Sequence, residues 1–247
     1  TPKFRGTWGV SDEDLFARAD QEFRKAEGKP FFALIFTSSN HPPFDIPSGI
    51  VKDEQQHSLL ENAVRYSDYA LGRFIDLARK SDYWQNTLFL VVADHVDKTG
   101  GQSLVEIDKF HIPALILGAD IEPQIYHKIA SQADLPTTLL GLIGKTTWHP
   151  MPGRNLLQVP ANDPGRAVMQ FDLNHATMVG DRVIIHQPHL QPKQFRYAEG
   201  KLLPEKLDQK FSATATALAL WPSYAYMNQQ YRLPEMRGSK AEQSGRK

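Results

Sequence analysis

The sequence predicts an α/β fold, with a mostly parallel central sheet sandwiched by helices and a small antiparallel sheet near the carboxyl end. Apolar runs at 30–36 and 87–93 are typical of strands buried on both faces. The amphipathic segment 57–80 lies between them, and a strand–helix–strand order predicts a right-handed parallel crossover. Further along, Gly180-Asp181 and Glu199-Gly200 separate short apolar stretches, which is a hairpin signal.

The composition excludes several classes of function and of site. The chain has 247 residues, of which 41% are apolar, so it can bury a substantial core. Its 28 basic residues balance 28 acidic ones, and no basic stripe favours a nucleic-acid partner. The absence of cysteine excludes disulfides, thiolate metal sites and a cysteine nucleophile. No stretch approaches the roughly 18 uninterrupted apolar residues of a membrane span, and no secretion signal is visible.

The first helix is predicted from its start and stop signals. Ser11 followed by Asp14 marks a start, so the helix runs over about 12–27, and Gly28 ends it. Trp8, just ahead of this helix, has two interpretations. It either lines a site or, in the favoured interpretation, packs against the helix start.

The other helices follow from spacing and from glycine and proline. Apolar residues at three–four spacing predict a helix over 57–80, whose stripe belongs to the core rather than to a cofactor site. A short helix begins with Asp134 as its cap and stops at Gly144. The segment 211–227 predicts a last helix, which Pro222 breaks or kinks.

Asp94 and His95 directly follow the apolar run 87–93. Open α/β sheets bind ligands at the carboxyl ends of their strands, and a carboxylate beside an imidazole suits a divalent metal. For an isolated pair, a turn aspartate and a solvated histidine would be the alternative. The next segment, 96–108, is polar, contains Gly100-Gly101 and is interpreted as a mobile active-site loop.

His41 follows the other apolar run in the same manner. Pro42 and Pro43 fix the backbone after it, so a rigid loop presents one imidazole, which suits a phosphate donor or general acid. An exposed turn histidine is the alternative. Because parallel strands end at the same sheet edge, His41 and the pair Asp94-His95 are expected to converge.

A further strand is predicted over 110–118. Pro113 within it indicates either an edge position or a strand start. His111, beside it, is either another ligand or phosphate contact, or a hydrogen-bonded structural histidine. Short strands at 167–171, 176–179, 182–186 and 194–197 then predict the small antiparallel sheet.

Four stretches together resemble the sulfatase-like branch of the alkaline phosphatase superfamily. Within it, the sequence is most similar to lipoteichoic acid synthase and related phosphoglycerol transferases. The stretches agree in order and spacing over about the first 160 residues. They are 8–16 (WGVSDEDLF), 40–44 (NHPPF), 66–75 (YSDYALGRFI) with 86–95 (NTLFLVVADH), and 111–116 (HIPALI) with 134–139 (DLPTTL).

The resemblance implies roles for individual residues. Asp94 and His95 match the family's ligands for a divalent cation, manganese or magnesium, with zinc as a further option. His41 matches the histidine that contacts the transferred glycerol phosphate. His111 is predicted to be a second substrate-binding residue. The substrate is then a phosphoglycerol-bearing lipid or glycan. The resemblance also implies an extracytoplasmic domain, at the periplasmic face or cell surface, anchored through a membrane segment absent from this chain.

The sequence departs from the family's pattern at its start. The family's nucleophile, a threonine at a helix start, and an acidic metal ligand both lie upstream of the motif that begins at Trp8. Thr37, Ser38 and Ser39 occur in the wrong motif to replace that threonine. Because the chain begins with Thr1 inside a dense motif, it is expected to be a piece of a longer protein that supplies half a metal site. The missing amino-terminal half is then a required partner.

The resulting domain prediction has three parts. Residues 1–160 form the carboxyl-terminal portion of a sulfatase-like catalytic domain, 161–233 form a small antiparallel sheet plus helix, and 234–247 form a disordered tail.

Alternatives to the transferase remain. One is an inactive binding or regulatory module on the same fold, and another is a sulfatase or phosphodiesterase that uses water. A serine hydrolase is disfavoured because no Gly-x-Ser-x-Gly occurs, and no phosphate-binding P-loop is present.

Overall fold

The computed structural model describes residues 1–52, 54–96, 100–144 and 148–232 of the chain. The predicted tail, 234–247, lies outside the described residues. The chain divides into two compact units. The first comprises Thr1–Leu90 and Ile116–Glu122, and the second comprises Val91–Leu115 and the residues from Pro123 onward.

A short hairpin, which the sequence did not predict, precedes the first helix. β1 (Arg5–Gly6) pairs antiparallel with β2 (Gly9–Val10). α1 (Asp12–Arg24) follows directly and ends slightly earlier than predicted. It begins as predicted at Ser11, whose hydroxyl accepts a hydrogen bond from the Asp14 amide at 3.3 Å. The hairpin and the helix start therefore lie next to each other in the first unit.

α2 (Leu59–Ala78) carries most of the core of the first unit and confirms the predicted long helix. A capping box starts it: Ser58 accepts from the Glu61 amide at 3.3 Å, and the Glu61 carboxylate accepts from the Ser58 amide at 2.8 Å. Each aromatic ring buried between α1 and α2 contributes about 1.5–3 kcal/mol relative to an exposed ring. The buried core side chains are Phe16, Phe23, Tyr66, Ala70, Phe74, Ile75, Ala78 and Phe89.

The predicted strand over 30–36 is wrong as a hydrogen-bonded strand. The segment pairs with no strand of the described chain. One side is packed, because Phe31 stacks on Phe23 at 4.8 Å and Ile35 joins the core. The other side faces solvent, because no described residue covers it. The outward side chains are Phe32 (91% exposed), Leu34 (83%) and Phe36 (72%).

The strand that leads to Asp94 is confirmed. β3 (Phe89–Val92) and β4 (Ala114–Leu117) form a two-stranded sheet. Pro113 immediately precedes β4, so the predicted strand start is also confirmed. Beyond the paired strands, the Ala93 amide donates to the Pro113 carbonyl at 3.3 Å, which holds the backbone just before Asp94.

α3 (Asp134–Leu142) confirms the short helix but not the predicted cap. Asp134 is the first helical residue and is fully buried. Its carboxylate accepts from the backbone amides of Ser131 at 2.9 Å and Arg154 at 2.7 Å. The carboxylate therefore holds two chain segments together instead of capping its own helix. Gly144 follows the helix at φ 72°, as expected for a stop.

An antiparallel sheet dominates the second unit and confirms the predicted carboxyl-terminal sheet. Its strands pair in sequence order, each with the next. The strands are β5 (Arg166–Phe171), β6 (Asn174–Val179), β7 (Arg182–His186), β8 (Lys193–Ala198) and β9 (Lys201–Glu205). The sequence missed β9. Pro204 lies within it, and a proline weakens a strand prediction because it donates no ladder hydrogen bond.

Both faces of β7 are buried. Val183 and Ile185 face a cluster that includes Val105 and Ile107, whereas Ile184 packs with Phe211. The interpretation of 96–108 as one mobile loop is therefore wrong for Val105 and Ile107, which are core residues; residues 97–99 of that segment lie outside the described residues.

α4 (Gln209–Met227) packs on the sheet through its first turns and continues through Pro222. The prediction was that Pro222 breaks or kinks the helix; the break is therefore wrong, and the kink stays a prediction. Within the part of the chain that the structure describes, no helix combines the length and apolar character needed to cross a membrane.

Candidate functional site

Backbone hydrogen bonds hold the loop that carries His41, both before and after this residue in the chain. The His41 amide donates to the Ser38 carbonyl at 3.0 Å, and the Phe44 amide donates to the His41 carbonyl at 2.8 Å. Phe44 has φ 66°, a left-handed conformation that bulky residues rarely adopt. The side chain of His41 itself is exposed. The structure thus places an exposed imidazole on a tightly turned loop, which agrees with both interpretations of His41.

The buried carboxylate of Asp12 holds this loop in place. The Asp12 carboxylate, which is 1% exposed, accepts from the backbone amides of Ser38 at 3.3 Å and Ser39 at 3.2 Å. It also accepts from the hydroxyls of Ser39 at 2.8 Å and Ser67 at 2.9 Å. Because a buried carboxylate is stable only when its oxygens are bonded, this network ties the His41 loop to α1 and α2.

Trp8 lies beside His41, in the turn between β1 and β2. The rings have centroids 4.1 Å apart at 54°, and Trp8 is 59% exposed. The favoured interpretation of Trp8 as a packing residue ahead of the helix is therefore wrong. The indole lines a cleft together with the His41 loop.

Asp45 fixes the turn that carries Trp8. Its carboxylate accepts from the hydroxyl of Thr7 at 2.7 Å and from the amide of Thr7 at 2.8 Å. These bonds, first from the hydroxyl and then from the amide, hold the pKa of Asp45 below its ordinary value. Asp45 therefore remains charged at neutral pH and holds the hairpin turn to the chain just after His41.

The His41 ring has a defined tautomer. Its Nδ1 lies 3.0 Å from the Pro42 carbonyl oxygen. Because a carbonyl only accepts, Nδ1 carries the proton and Nε2 is the nitrogen presented to a ligand.

Asp94 and His95 lie at the end of β3, as predicted. The His95 amide donates to Asp94 Oδ1 at 2.8 Å, and His95 Nδ1 lies 2.7 Å from the Val96 carbonyl. His95 therefore uses the same arrangement as His41: Nδ1 donates to the next carbonyl, and Nε2 is presented. Metal-binding histidines commonly bond a backbone carbonyl through the other ring nitrogen.

The separation of these two side chains fits a shared cation. His95 Nε2 lies 3.4 Å from Asp94 Oδ2, and the two side chains are 68% and 58% exposed. Two ligands bound to one metal at about 2.1 Å with tetrahedral angles lie about 3.4 Å apart. Carboxylate oxygen and imidazole nitrogen are also donors that divalent cations accept. The pair therefore fits two positions of a metal site.

The described residues do not complete that site. Outside the masked positions, no group of three or more His, Asp or Glu side chains is placed to hold a metal. A catalytic metal normally has at least three protein ligands. Asp94 and His95 alone would therefore supply only part of a coordination shell.

Gln132 supports this strand end, a role that no sequence motif predicts. Its side-chain amide donates to the Ala93 carbonyl at 2.9 Å and is 3.5 Å from the Asp94 carbonyl.

His111 is exposed, and its amide donates to the Asp108 carbonyl at 3.2 Å just before β4. His41 belongs to the first unit, whereas Asp94, His95 and His111 belong to the second. Their predicted convergence stays a prediction.

Comparisons with known proteins point to one family. A family model described as Sulfatase matches residues 1–145. Phosphoglycerol transferase I of Xanthomonas campestris pv. campestris is 30% identical over 171 residues, covering 66% of this chain and 24% of that protein. The lipoteichoic acid synthase-like protein YvgJ of Bacillus subtilis is 24% identical over 173 residues, covering 60% and 27%. The chain thus spans about a quarter of the length of these relatives.

Solved structures confirm the fold. A protein of the alkaline phosphatase superfamily from Vibrio parahaemolyticus matches with TM-score 0.88 and 43% identity, covering 94% of this chain and 58% of that one. Ps i-CgsB in complex with k-i-k-neocarrahexaose matches with TM-score 0.58 and 17% identity, covering 92% and 56%, which shows likeness of fold alone. The predicted α/β fold of the alkaline phosphatase type is confirmed, as is the resemblance stated from the motifs.

Proposed function

This chain belongs to the sulfatase family, and from that premise we propose that it forms part of a metal-dependent phosphoglycerol transferase. The observation that carries the proposal is the pair Asp94 Oδ2 and His95 Nε2, which lie 3.4 Å apart at a strand end. The names of the relatives, phosphoglycerol transferase and lipoteichoic acid synthase, support the substrate class. The proposed substrate is a phosphoglycerol-bearing lipid or glycan.

Asp94 and His95 would hold the divalent cation, Mn²⁺ in the first instance, with Mg²⁺ or Zn²⁺ as alternatives. When bound, that cation neutralises negative charge on the phosphoryl oxygens. The remaining ligands come from the amino-terminal half of the catalytic domain. Gln132 keeps the backbone before Asp94 in place, so the two ligands are presented together.

His41 contacts the phosphate through Nε2. Its Nδ1 proton is committed to the Pro42 carbonyl, so Nε2 is the nitrogen that meets a phosphoryl oxygen. In its protonated form it donates a hydrogen bond to that oxygen and stabilises the charge that develops there. His111 is proposed as a second substrate contact because it is exposed beside β4.

The nucleophile is proposed to be a threonine upstream of Thr1 in the longer protein. Its oxygen, after losing its proton to solvent, attacks phosphorus, the P–O bond to the donor breaks, and the donor oxygen takes up a proton. An acceptor hydroxyl then attacks the same phosphorus, the bond between phosphorus and the threonine oxygen breaks, and the acceptor's proton passes to threonine. Attack by water in place of the acceptor gives hydrolysis. Ser39 is poorly suited to replace threonine because its buried hydroxyl already donates to Asp12 at 2.8 Å.

The proposed location is extracytoplasmic, with a membrane anchor outside this chain. This follows from the substrate class, since phosphoglycerol-bearing lipids and surface glycans meet outside the cytoplasm. Nucleic-acid partners are not proposed, because the net charge is zero.

The test uses the protein encoded by the whole gene. Calorimetric titration with Mn²⁺ should show binding, and Asp94→Ala should weaken it at least about tenfold. Asp120→Ala, which removes an exposed acid elsewhere, is the matched control and should leave binding unchanged. If Asp94→Ala binds Mn²⁺ as tightly as the parent, the metal assignment is wrong.

Turnover separates the alternatives. The parent protein should release glycerol phosphate from a phosphoglycerol lipid in water and transfer it to a glycan hydroxyl when one is supplied. His41→Ala should reduce both by about 100-fold while Mn²⁺ binding remains. Binding of metal and lipid without turnover would instead identify an inactive module. Release without any transfer would identify a hydrolase.

A further inference from the structure

Trp8 occupies an unusual place for a large aromatic residue. It lies in the two-residue turn of the β1–β2 hairpin and is 59% exposed, rather than buried in the core. Exposed single aromatic residues are common. This one, however, makes specific contacts with the loop that presents His41.

Two contacts fix the indole. Its ring lies 4.1 Å from the His41 ring, centroid to centroid, and its Nε1 donates to the Pro42 carbonyl at 2.7 Å. The same carbonyl lies 3.0 Å from His41 Nδ1. A carbonyl oxygen has two lone pairs, so it accepts from both rings at once. Trp8 and His41 are therefore joined by a tilted ring contact and by a shared acceptor.

The hairpin turn is held in register with this loop. Asp45 accepts two hydrogen bonds from Thr7, the neighbour of Trp8. Gly6 permits the close approach, because a Cβ there would lie only 2.7 Å from Asp45 Cβ. The backbone on one side of Trp8 is thereby tied to the chain just after His41. The indole cannot move far without breaking these contacts.

We infer that Trp8 is a positioning residue for His41. Its ring packs against the imidazole and orders the Pro42 carbonyl, so that Nδ1 keeps its proton and Nε2 points outward. The role of Nε2 toward phosphate rests on the proposed function, whereas the fixed ring and tautomer do not.

The first test measures the tautomer directly in the 247-residue chain. Nitrogen-15 NMR in alkaline buffer, with the His41 signals assigned by their loss in His41→Gln, should show the proton on Nδ1. Trp8→Leu should give a mixture of the two tautomers. Trp8→Phe keeps an aromatic ring but loses the Nε1 donor, so its tautomer ratio should lie between those of the parent and Trp8→Leu. Tyr226→Leu removes a comparably exposed ring elsewhere and should change nothing.

The tautomer experiment decides the inference regardless of any activity. If Trp8→Leu, folded by circular dichroism, shows the same His41 tautomer as the parent, the inference is wrong. If Trp8→Leu does not fold, the same comparison is made with Trp8→Phe, and an unchanged tautomer overturns the inference there.

The second test uses turnover by the whole protein. Trp8→Leu should lower kcat for phosphoglycerol release by about tenfold, the order seen when a supporting hydrogen bond is removed, with a smaller change in KM. In a His41→Gln background the same change should have almost no effect, because Trp8 acts through His41. Additive losses would overturn the inference. An altered tautomer in a protein that shows no turnover supports the positioning role and overturns the proposed function.

Discussion

The His41 loop is fixed by a buried carboxylate. The Asp94 and His95 side chains instead make short-range contacts at the surface, and only the backbone before them is held by distant residues, Pro113 and Gln132. Asp12 collects hydrogen bonds from residues 26, 27 and 55 positions away in sequence. Asp94 and His95 bond to each other and to the adjacent Val96 carbonyl, and their side chains are mostly exposed. The His41 loop is thus preorganised by the fold itself. The order of the Asp94-His95 pair would instead depend on the proposed cation and on its other ligands.

The largest effect should come from removing the anchor. Asp12→Ala leaves two hydroxyls and two amides without their buried acceptor, so the free energy of unfolding should fall by about 3 kcal/mol or more. Urea denaturation measures it. Glu22→Ala, which removes only exposed ion pairs with Arg18 and Lys25, should change little. If the two variants unfold at the same urea concentration, the contrast between the regions is wrong.

The second-largest effect on stability should come from metal binding, and it should depend on the Asp94-His95 strand end alone. In the whole protein, Mn²⁺ at about 100 times its dissociation constant should stabilise the fold by about 2.7 kcal/mol. Thermal unfolding with and without the cation measures this gain. A chelator should abolish it, and so should Asp94→Ala. A gain that persists in Asp94→Ala would place the cation elsewhere.

Removing one of the hydrogen bonds to Asp12 should lower the free energy of unfolding by a smaller amount. Ser67→Ala removes one hydrogen bond to Asp12 but leaves three others, so the loss should be about 1 kcal/mol. Thr214→Ala, which removes a hydroxyl bonded within its own helix, serves as the control and should cost less. If Ser67→Ala were as unstable as Asp12→Ala, the three remaining hydrogen bonds to Asp12 would depend on Ser67, and the expected smaller loss would be wrong.

The smallest effect should be that of Asp94→Ala without metal. The side chain is exposed, so the free energy of unfolding should change by no more than about 0.5 kcal/mol. Chemical denaturation in the presence of a chelator measures it. A loss of several kcal/mol would show that this strand end is as strongly anchored as the His41 loop.

Sequence reasoning succeeded where a signal is local. The cap at Ser11 and the turn at Glu199-Gly200 both involve residues at most a few positions apart. The strand end at Asp94 was predicted because a continuous apolar run precedes it. These features need no knowledge of the remaining chain.

Sequence reasoning failed where the partner is distant. Asp12 looks like an ordinary acid in a first helical turn, and nothing local shows that Ser39 and Ser67 converge on it. The hairpin around Trp8 has strands of two residues, too short for any alternation to be visible. The run 30–36 has a strand's composition, but a strand requires a partner, and none of the described residues provides one.

The outward side of 30–36 bears on how the chain behaves in solution. Phe32, Leu34 and Phe36 present an apolar strip to water. The chain also has a formal net charge of zero and an isoelectric point near 7.1. With little charge repulsion between molecules, such a strip favours self-association. The solubility of the chain should therefore be lowest near neutral pH and should increase in buffers whose pH lies well above or below the isoelectric point.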